Sequence, residues 1–279
     1  MIRASAADRP AIEAFLTKHI ATSMFPLSNL RDHGMAGGHP RAVTFWVRWN
    51  AGKITDVVTI TDEGFAFPQC PTMPWGDVQV VLAGQALTGI LGDAGQVAAL
   101  RHALGWTAPA DIDEIEPLYQ LKLAELRLPD CTGYALRPLA EAPSDTLQTW
   151  RVAYLNETGV YPGESPEVTA KKQIAAYIQR DSHRALYRGN QPIGMTGFNA
   201  QLPQVVQIGG VFTPDEFRGQ GVARRAVGLH LKEAREYGVK DAILFAASDT
   251  AARAYEAIGF ENIGAFAMMI YKGPQVIHV

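Results

Sequence analysis

The spacing of apolar residues predicts strands and helices that begin alike in the two halves of the chain. Residues 1–5 form a short strand signal, and Asp8 then begins a helix as its N-cap, with apolar positions every three or four residues. Residues 134–139 repeat the strand signal, and Asp145 caps a second amphipathic helix. This repeat predicts a tandem of one fold, with a boundary near residue 130.

The second half shows further strands. Residues 184–188 and 191–199 are strand-like and are joined at Gly189-Asn190, a turn signal for a β-hairpin. Residues 205–213 predict a third strand that runs into a glycine-containing loop and a helix. The continuous apolar run 242–247 is typical of a strand covered on both faces.

A second helix and a last strand over residues 263–271 complete the pattern. The order is a strand and helices, an antiparallel meander, and then alternating strands and helices. We therefore expect an α/β (α+β) protein in which a mixed central sheet is flanked by helices, in two domains, 1–130 and 131–279.

Composition excludes several classes of protein. Of 279 residues, 47% are hydrophobic and 19% are charged, a globular balance that excludes disorder over most of the length. The formal net charge of −3 gives no global attraction to nucleic acid or acidic membranes. Cys70 and Cys131 are too few for a disulfide framework or a cysteine-rich zinc site. We expect a cytoplasmic protein with no signal segment, membrane span, nucleic-acid partner or metal.

The loop after the strand at residues 205–213 carries the candidate chemistry. Residues 218–223 read Arg-Gly-Gln-Gly-Val-Ala and lead into a helix, whose positive end and backbone N–H groups favour phosphate. Gly219 and Gly221 let the backbone approach a ligand closely, and Arg218 adds a permanently charged phosphate donor. A Walker A loop is excluded because no lysine followed by Ser or Thr occurs here, and a dinucleotide loop because this one follows a meander.

This loop, read as R-x-x-G-x-G/A, resembles the acyl-CoA pyrophosphate loop of the GCN5-related N-acetyltransferase (GNAT) superfamily. Residues 248–260 are similar to the N-x-x-A-x-x-x-Y-x-x-x-G-F segment of that family, with Ser248 at the asparagine position. The resemblance covers roughly residues 134–272 and implies a tandem acyl-CoA N-acyltransferase (GNAT) fold with acetyl-CoA as co-substrate. In the first half, the turn at Asp93 lacks the arginine and carries a carboxylate, so we expect a degenerate GNAT-like domain there.

The resemblance also implies direct transfer of an acetyl group to an amine. Tyr255 aligns with the tyrosine that protonates the leaving CoA thiolate, and a backbone N–H near Phe212 would stabilise the oxyanion. Glu157 and Glu164 are candidate general bases in residues 156–165, a region that closes over the acceptor in this family. The implied cofactor-binding residues are Val211, Phe212, Thr213, Arg218, Gly219, Gln220, Gly221, Val222, Ala223 and Ser248.

Several alternatives stay open from the sequence. The acceptor is a small amine, an amino acid, an antibiotic or a protein lysine, and neither acyl length nor oligomeric state is fixed. A non-catalytic acyl-CoA or ligand sensor would use the same fold, and a protein-interaction scaffold would use the loop as a connection. Arg224 and Arg225 are expected on a solvated helix face, and His230 is expected to be a packing residue.

Overall fold

The structure, a computed structural model, describes residues 1–159 and 164–277, which form two compact units. Unit 1 comprises Met1–Pro117 and Gly264–Val279, and unit 2 comprises Leu118–Ile263. These bounds differ from the predicted boundary near residue 130. Residues 118–122 pair within unit 2, and residues 266–276 pair with residues 86–93 within unit 1.

In the second half, the elements follow the order that the apolar periodicity predicts. The strands are β1 (Ile2–Arg3), β2 (Val43–Asn50), β3 (Lys53–Thr61), β4 (Phe65–Gln69), β5 (Ala86–Asp93), β6 (Ile112–Lys122), β7 (Tyr134–Pro138), β8 (His183–Arg188), β9 (Gln191–Leu202), β10 (Val205–Phe212), β11 (Asp241–Phe245) and β12 (Glu261–Val276). The helices are α1 (Arg9–Lys18), α2 (Ile20–His33), α3 (Trp75–Leu82), α4 (Ala94–Ala103), α5 (Ser144–Thr158), α6 (Pro166–Gln179), α7 (Val222–Glu236) and α8 (Asp249–Glu256). Among the described residues, none of these helices has the length and apolar character needed to cross a bilayer.

Unit 1 contains a mixed sheet. Strands β1 to β4 pair antiparallel in chain order, and β4 and β5 pair in parallel. The second neighbour of β5 is β12, which pairs antiparallel with it from Phe266 to Val276. The Asp93 side chain accepts from the backbone N–H of Gln96 at 3.0 Å and caps α4, as predicted for this carboxylate.

The strands of unit 2 also pair in a mixed arrangement. Strands β7, β8, β9 and β10 pair antiparallel in turn, and the predicted hairpin at Gly189-Asn190 joins β8 to β9. Strand β11 pairs in parallel with β10 and antiparallel with residues 118–122 of β6. The buried side chains Ala242, Ile243 and Leu244 confirm the prediction of a covered strand. Because residues 118–122 of β6 pair with β11, unit 2 begins before residue 130.

Helix α7 packs through an apolar stripe whose residues recur every three or four positions. Val227, Leu231 and Ala234 are buried in one apolar cluster with side chains of β10 and β11, while Ala223 lies at an open cleft described below. This packing fixes the N-terminus of α7 near the end of β10.

Two departures from regular pairing open unit 2 beside β10. The parallel register with β11 runs from Val205 to Gln207 and ends there, and β9 and β10 change register between Gly209 and Phe212. Gly210 lies in this bulge with φ +63°, a left-handed backbone that favours glycine. The second half of β10 therefore presents backbone groups that β11 does not pair.

Candidate active site

A cleft of about 830 Å³ lies in unit 2 where β10 and β11 stop pairing. Its walls come from α5, the bulged part of β10, the loop before α7, the end of β11 and the start of α8. The predicted site residues that line it are Glu157, Val211, Phe212, Thr213, Arg218, Gly219, Gly221, Val222, Ala223, Ser248 and Tyr255. The structure thus brings most of the predicted residues to one opening.

The loop before α7 owes its shape to two glycines in left-handed conformation. Gly219 has φ +74° and Gly221, the N-cap of α7, has φ +72°. A Cβ at Gly219 would meet no atom within 4 Å, so this glycine serves the backbone conformation rather than a close approach. No acidic residue occupies the first turn of α7. The positive end of the helix dipole is therefore uncompensated on its own helix.

Arg224 and Arg225 do not lie on a freely solvated face, in contrast to the prediction. Arg225 donates to the carbonyl oxygens of Gln220 and Asp130, each at 2.7 Å, and so ties the loop to the segment before β7. Arg224 lines the cleft, and its Nε is buried without a hydrogen-bond partner among the described residues. Gln220 is not among the described residues that line the cleft, and its amide donates to the Glu216 carbonyl oxygen at 2.9 Å.

The predicted phosphate donor and one predicted base form an ion pair. Arg218 Nη2 donates to Glu157 Oε1 at 2.6 Å, and both side chains are about half exposed at the cleft. Arg218 Nε also donates to the Thr213 carbonyl oxygen at 3.0 Å and lies 3.1 Å from Asp215 Oδ1. The guanidinium is therefore held in place by two carboxylates before any ligand is considered.

The other predicted base lies elsewhere. Glu164 forms an exposed ion pair with Lys172 at 2.6 Å, and it is not among the described residues that line the cleft. Residues 160–163 of the predicted acceptor-covering region lie outside the described residues. Of the two candidate bases, the described geometry brings Glu157 to the cleft.

The segment after β11 also reaches the cleft. Ser248 is the N-cap of α8, and its Oγ accepts from the backbone N–H of Ala251 at 3.2 Å. Tyr255 is 7% exposed and packs edge-to-face against Phe260, with ring centroids 6.0 Å apart. Ser248 thus uses its hydroxyl as a helix cap at the position where the family pattern has asparagine.

Sequence reasoning missed two buried polar residues behind the bulge. Arg151 of α5 is 6% exposed and His183 of β8 is fully buried. Burial, with neighbouring cationic groups, holds the pKa of His183 well below its usual range. Arg151 falls at helical spacing with Leu147 and Tyr154, so an arginine on an otherwise apolar stripe was the available signal.

The prediction for His230 is confirmed. Its ring is 3% exposed and stacks on Phe198 with centroids 3.8 Å apart. Burial lowers the pKa of His230 from 6.5 to about 3, as expected for an imidazole held neutral inside the protein.

Comparison with known sequences agrees with this arrangement. Residues 147–260 match the model of the Acetyltransferase (GNAT) family. Over 71 residues the chain is 35% identical to an acetyltransferase of Agrobacterium fabrum, a stretch that is 25% of this chain and 50% of that protein. The chain therefore spans about half the length of the curated relative it matches.

Solved structures are similar over most of the chain. A GCN5-related N-acetyltransferase from Kribbella flavida, 17% identical, aligns over 91% of this chain and 95% of its own with a TM-score of 0.58. One from Sphaerobacter thermophilus, 16% identical, aligns over 100% and 95% with a TM-score of 0.54. A tandem GNAT protein from the clavulanic acid biosynthesis pathway, 14% identical, aligns over 100% and 98% with a TM-score of 0.54.

At these identities the structural similarity concerns the fold. It confirms the predicted tandem GNAT fold, and the family match confirms the resemblance first indicated by the Arg218 loop and the Tyr255 segment. Residues 147–260 thus match the GNAT acetyltransferase family, within a chain that has a tandem GNAT fold.

Proposed function

We propose that unit 2 binds acetyl-CoA and transfers its acetyl group to an amine. The observation that carries this proposal is the cleft in which the unpaired half of β10 meets the glycine-shaped N-terminus of α7. Its volume of about 830 Å³ is within the usual range of small-molecule sites.

The groups at α7 suit a diphosphate. The N-terminus of α7 presents backbone N–H groups with no acid in the first turn, and Arg224 Nε is buried there without a partner among the described residues. Arg218 supplies a second guanidinium at the same opening, and its contact with a phosphate would replace its ion pair with Glu157. We infer that these groups bind the diphosphate of CoA.

The unpaired half of β10 suits an extended amide chain. Beyond Gln207, the backbone from Ile208 to Thr213 lines the cleft without β11 as a partner. An extended pantetheine arm would take the place of the missing strand through main-chain hydrogen bonds. This pairing would bring the thioester to the bulge, with the backbone N–H of Phe212 as the proposed oxyanion donor.

Acetyl-CoA supplies an activated acyl group, and the chain's own residues handle protons. We assign to the Tyr255 hydroxyl the protonation of the departing thiolate, since this buried residue lines the cleft on the side of α8. Glu157 is the candidate acceptor of the amine proton, provided that its ion pair with Arg218 opens when the diphosphate binds.

The N-terminal half is proposed to be a degenerate GNAT-like domain. Its corresponding helix, α4, is capped by Asp93, whose carboxylate occupies the position that a diphosphate would need. A negative charge on these N–H groups disfavours a second anion. We therefore place the working acyl-CoA site in the C-terminal half, residues 131–279.

Two measurements on the full chain test the proposal. Titration calorimetry with CoA is expected to give one saturable site, and a thiol-release assay with acetyl-CoA and a panel of amines is expected to give acceptor-dependent turnover. Absence of CoA binding would contradict the proposal. CoA binding without release for any amine would favour the ligand sensor, which the use of the Ser248 hydroxyl as a cap also supports.

A further inference from the structure

Behind the cleft lies the buried guanidinium of Arg151, which pairs with no carboxylate of the described residues. The Nε of Arg151 donates to Gln173 Oε1 at 2.6 Å, and the guanidinium lies 4.3 Å from the ring centroid of Tyr154 and 5.3 Å from that of Tyr177. Its Nη1 is buried with no hydrogen-bond partner, and no acid among the described residues pairs with Arg151. Because a charge removed from water without a counter-charge is strongly disfavoured, this position favours an anion.

A second polar atom without a partner lies beside it. His183 stacks on Tyr177 with centroids 3.6 Å apart, and its Nδ1 lies 2.9 Å from the Ser182 hydroxyl oxygen. Within the described part of the chain, its Nε2 is buried and unpartnered. When the Ser182 hydroxyl donates to Nδ1, the neutral imidazole carries its proton on Nε2 and becomes a second donor.

Three arginines lie near this imidazole. Burial is the largest cause that lowers the pKa of His183, and His230, Arg151, Arg180 and Arg184 lower it further. Arg184 is paired with Asp181 and Glu233, whereas Arg151 has no such acid among the described residues. The region between Arg151 and His183 therefore holds a guanidinium that pairs with no acid of the described residues, next to a neutral imidazole.

Both atoms converge on the bulge of β10. A Cβ built on Gly210 would lie 2.8 Å from His183 Nε2 and 3.8 Å from Arg151 Nη1. Gly210 lines the cleft, as does Tyr154, whose ring carries the Arg151 guanidinium. Neither Arg151 nor His183 is among the described residues that line the cleft, so the two donors lie one layer behind the Gly210 backbone, beside which the thioester is proposed to react.

We propose that the acceptor is an amine that also carries a carboxylate, such as a free amino acid, and that Arg151 and His183 Nε2 bind this carboxylate beside Gly210. The inference rests on the proposed acetyl transfer and narrows its acceptor class. A guanidinium matches the two oxygens of a carboxylate and is retained in buried sites for this geometry. A lysine side chain within a protein has no carboxylate near its amine, so the site disfavours it.

The reaction then balances as follows. The amine nitrogen of the amino acid forms a bond to the acetyl carbonyl carbon, and the bond from that carbon to the CoA sulfur breaks. The amine gives up one proton, and the departing thiolate takes one. The products are the N-acetylamino acid and CoA.

The test compares amino acids with their own carboxamides in the acetyl-CoA thiol-release assay, at equal concentrations of the free amine. The wild-type enzyme is expected to prefer the carboxylates by at least about tenfold in kcat/KM. Arg151→Gln should lower kcat/KM for the carboxylates at least about 30-fold, because the variant loses one partner of a buried charge pair. The kcat/KM for the carboxamides should change less than about twofold. Arg180→Gln is the matched control, since this exposed arginine also lies near the Tyr177 ring.

The outcomes separate the two proposals. Failure to bind CoA by calorimetry would contradict the proposed function, and this inference with it. CoA binding with equal use of carboxylates and carboxamides by the wild-type enzyme would overturn the carboxylate site alone, whether or not Arg151→Gln folds. If no amine in the panel is acetylated, the thermal shifts that glycine and glycinamide give with CoA bound test the carboxylate site instead. A larger shift with glycine supports the site, and equal shifts overturn it.

Discussion

Arg218 Nη2 donates to Glu157 Oε1 at 2.6 Å, which joins the residue proposed to hold the diphosphate to the residue proposed to accept a proton. A carboxylate that keeps this bond offsets the charge of the guanidinium and occupies one of the donors that a phosphate would use. The two functions therefore compete for one pair of side chains, and a single substitution separates them.

Glu157→Gln is expected to strengthen CoA binding and to weaken turnover. Removing the carboxylate frees Arg218 from a half-exposed ion pair, a change of about 0.2–1 kcal/mol, so the Kd for CoA should fall by no more than about fivefold. Loss of a general base should lower kcat by roughly 100-fold or more. Calorimetry and the thiol-release assay measure the two effects separately.

Asp215→Asn is the matched control for this pair. Asp215 also contacts Arg218, at 3.1 Å, but its side chain is 86% exposed and is not among the described residues that line the cleft. We expect little change in Kd and none in kcat. A Glu157→Gln enzyme with normal kcat would remove Glu157 from the proton transfer.

Gly221→Ala is expected to weaken CoA binding at least about tenfold. The residue has φ +72°, and the added Cβ would also lie 2.7 Å from Arg224 Nε and 2.8 Å from Arg225 Nη1, so the loop must change shape. Gly238→Ala, just beyond the other end of α7, imposes a similar strain at φ +92° with no atom within 4 Å of the new Cβ. Equal loss of CoA affinity in both variants would mean that the effect comes from general destabilisation.

Tyr255→Phe is expected to lower kcat at least about tenfold while the Kd for CoA changes less than twofold, because only the proposed proton donor is removed. Tyr187→Phe is the control, since Tyr187 is another buried tyrosine of unit 2, with its hydroxyl bonded to the Glu141 carbonyl oxygen at 3.2 Å. A normal kcat for Tyr255→Phe would assign Tyr255 to packing against Phe260.

The buried histidines predict a loss of stability in mild acid. In the unfolded chain His230 takes up a proton near pH 6.5, whereas in the folded protein its pKa is about 3. Between pH 6.5 and about 3 the unfolded state therefore binds more protons than the folded state. As the pH falls through this range, the free energy of unfolding should fall by up to about 1.4 kcal/mol per pH unit for this group. His183 acts in the same direction, since its pKa is also lowered by burial.

Urea unfolding at pH 7.5 and 5.0 measures this dependence. His230→Phe keeps an aromatic ring against Phe198 and should reduce the difference in stability between the two pH values. His102→Gln, at an exposed position of α4, should leave that difference unchanged. The same pH dependence in all three proteins would contradict the assignment to His230.

The parts of the site that follow from local chain geometry were predictable from the sequence. The turn before α7, with its two glycines, and the helix that carries Tyr255 are specified by residues that are neighbours in the chain. Both could therefore be predicted from short sequence patterns. The pairing of Arg218 with Glu157 joins residues 61 positions apart, and the convergence of Arg151 and His183 on Gly210 joins three elements. Such contacts depend on strand register and helix packing, which periodicity does not specify.

The partners of the two strands β5 and β11 have a consequence for synthesis. Strand β5 ends at Asp93, yet its partner β12 lies at 261–276, so the pairing of β5 cannot be completed until nearly the whole chain has left the ribosome. A truncated chain that starts at residue 131 would likewise leave β11 with a bare edge, because residues 118–122 are missing. We therefore expect neither fragment obtained by cutting near residue 130 to fold stably on its own, and biochemical work on this protein is best done with the intact polypeptide.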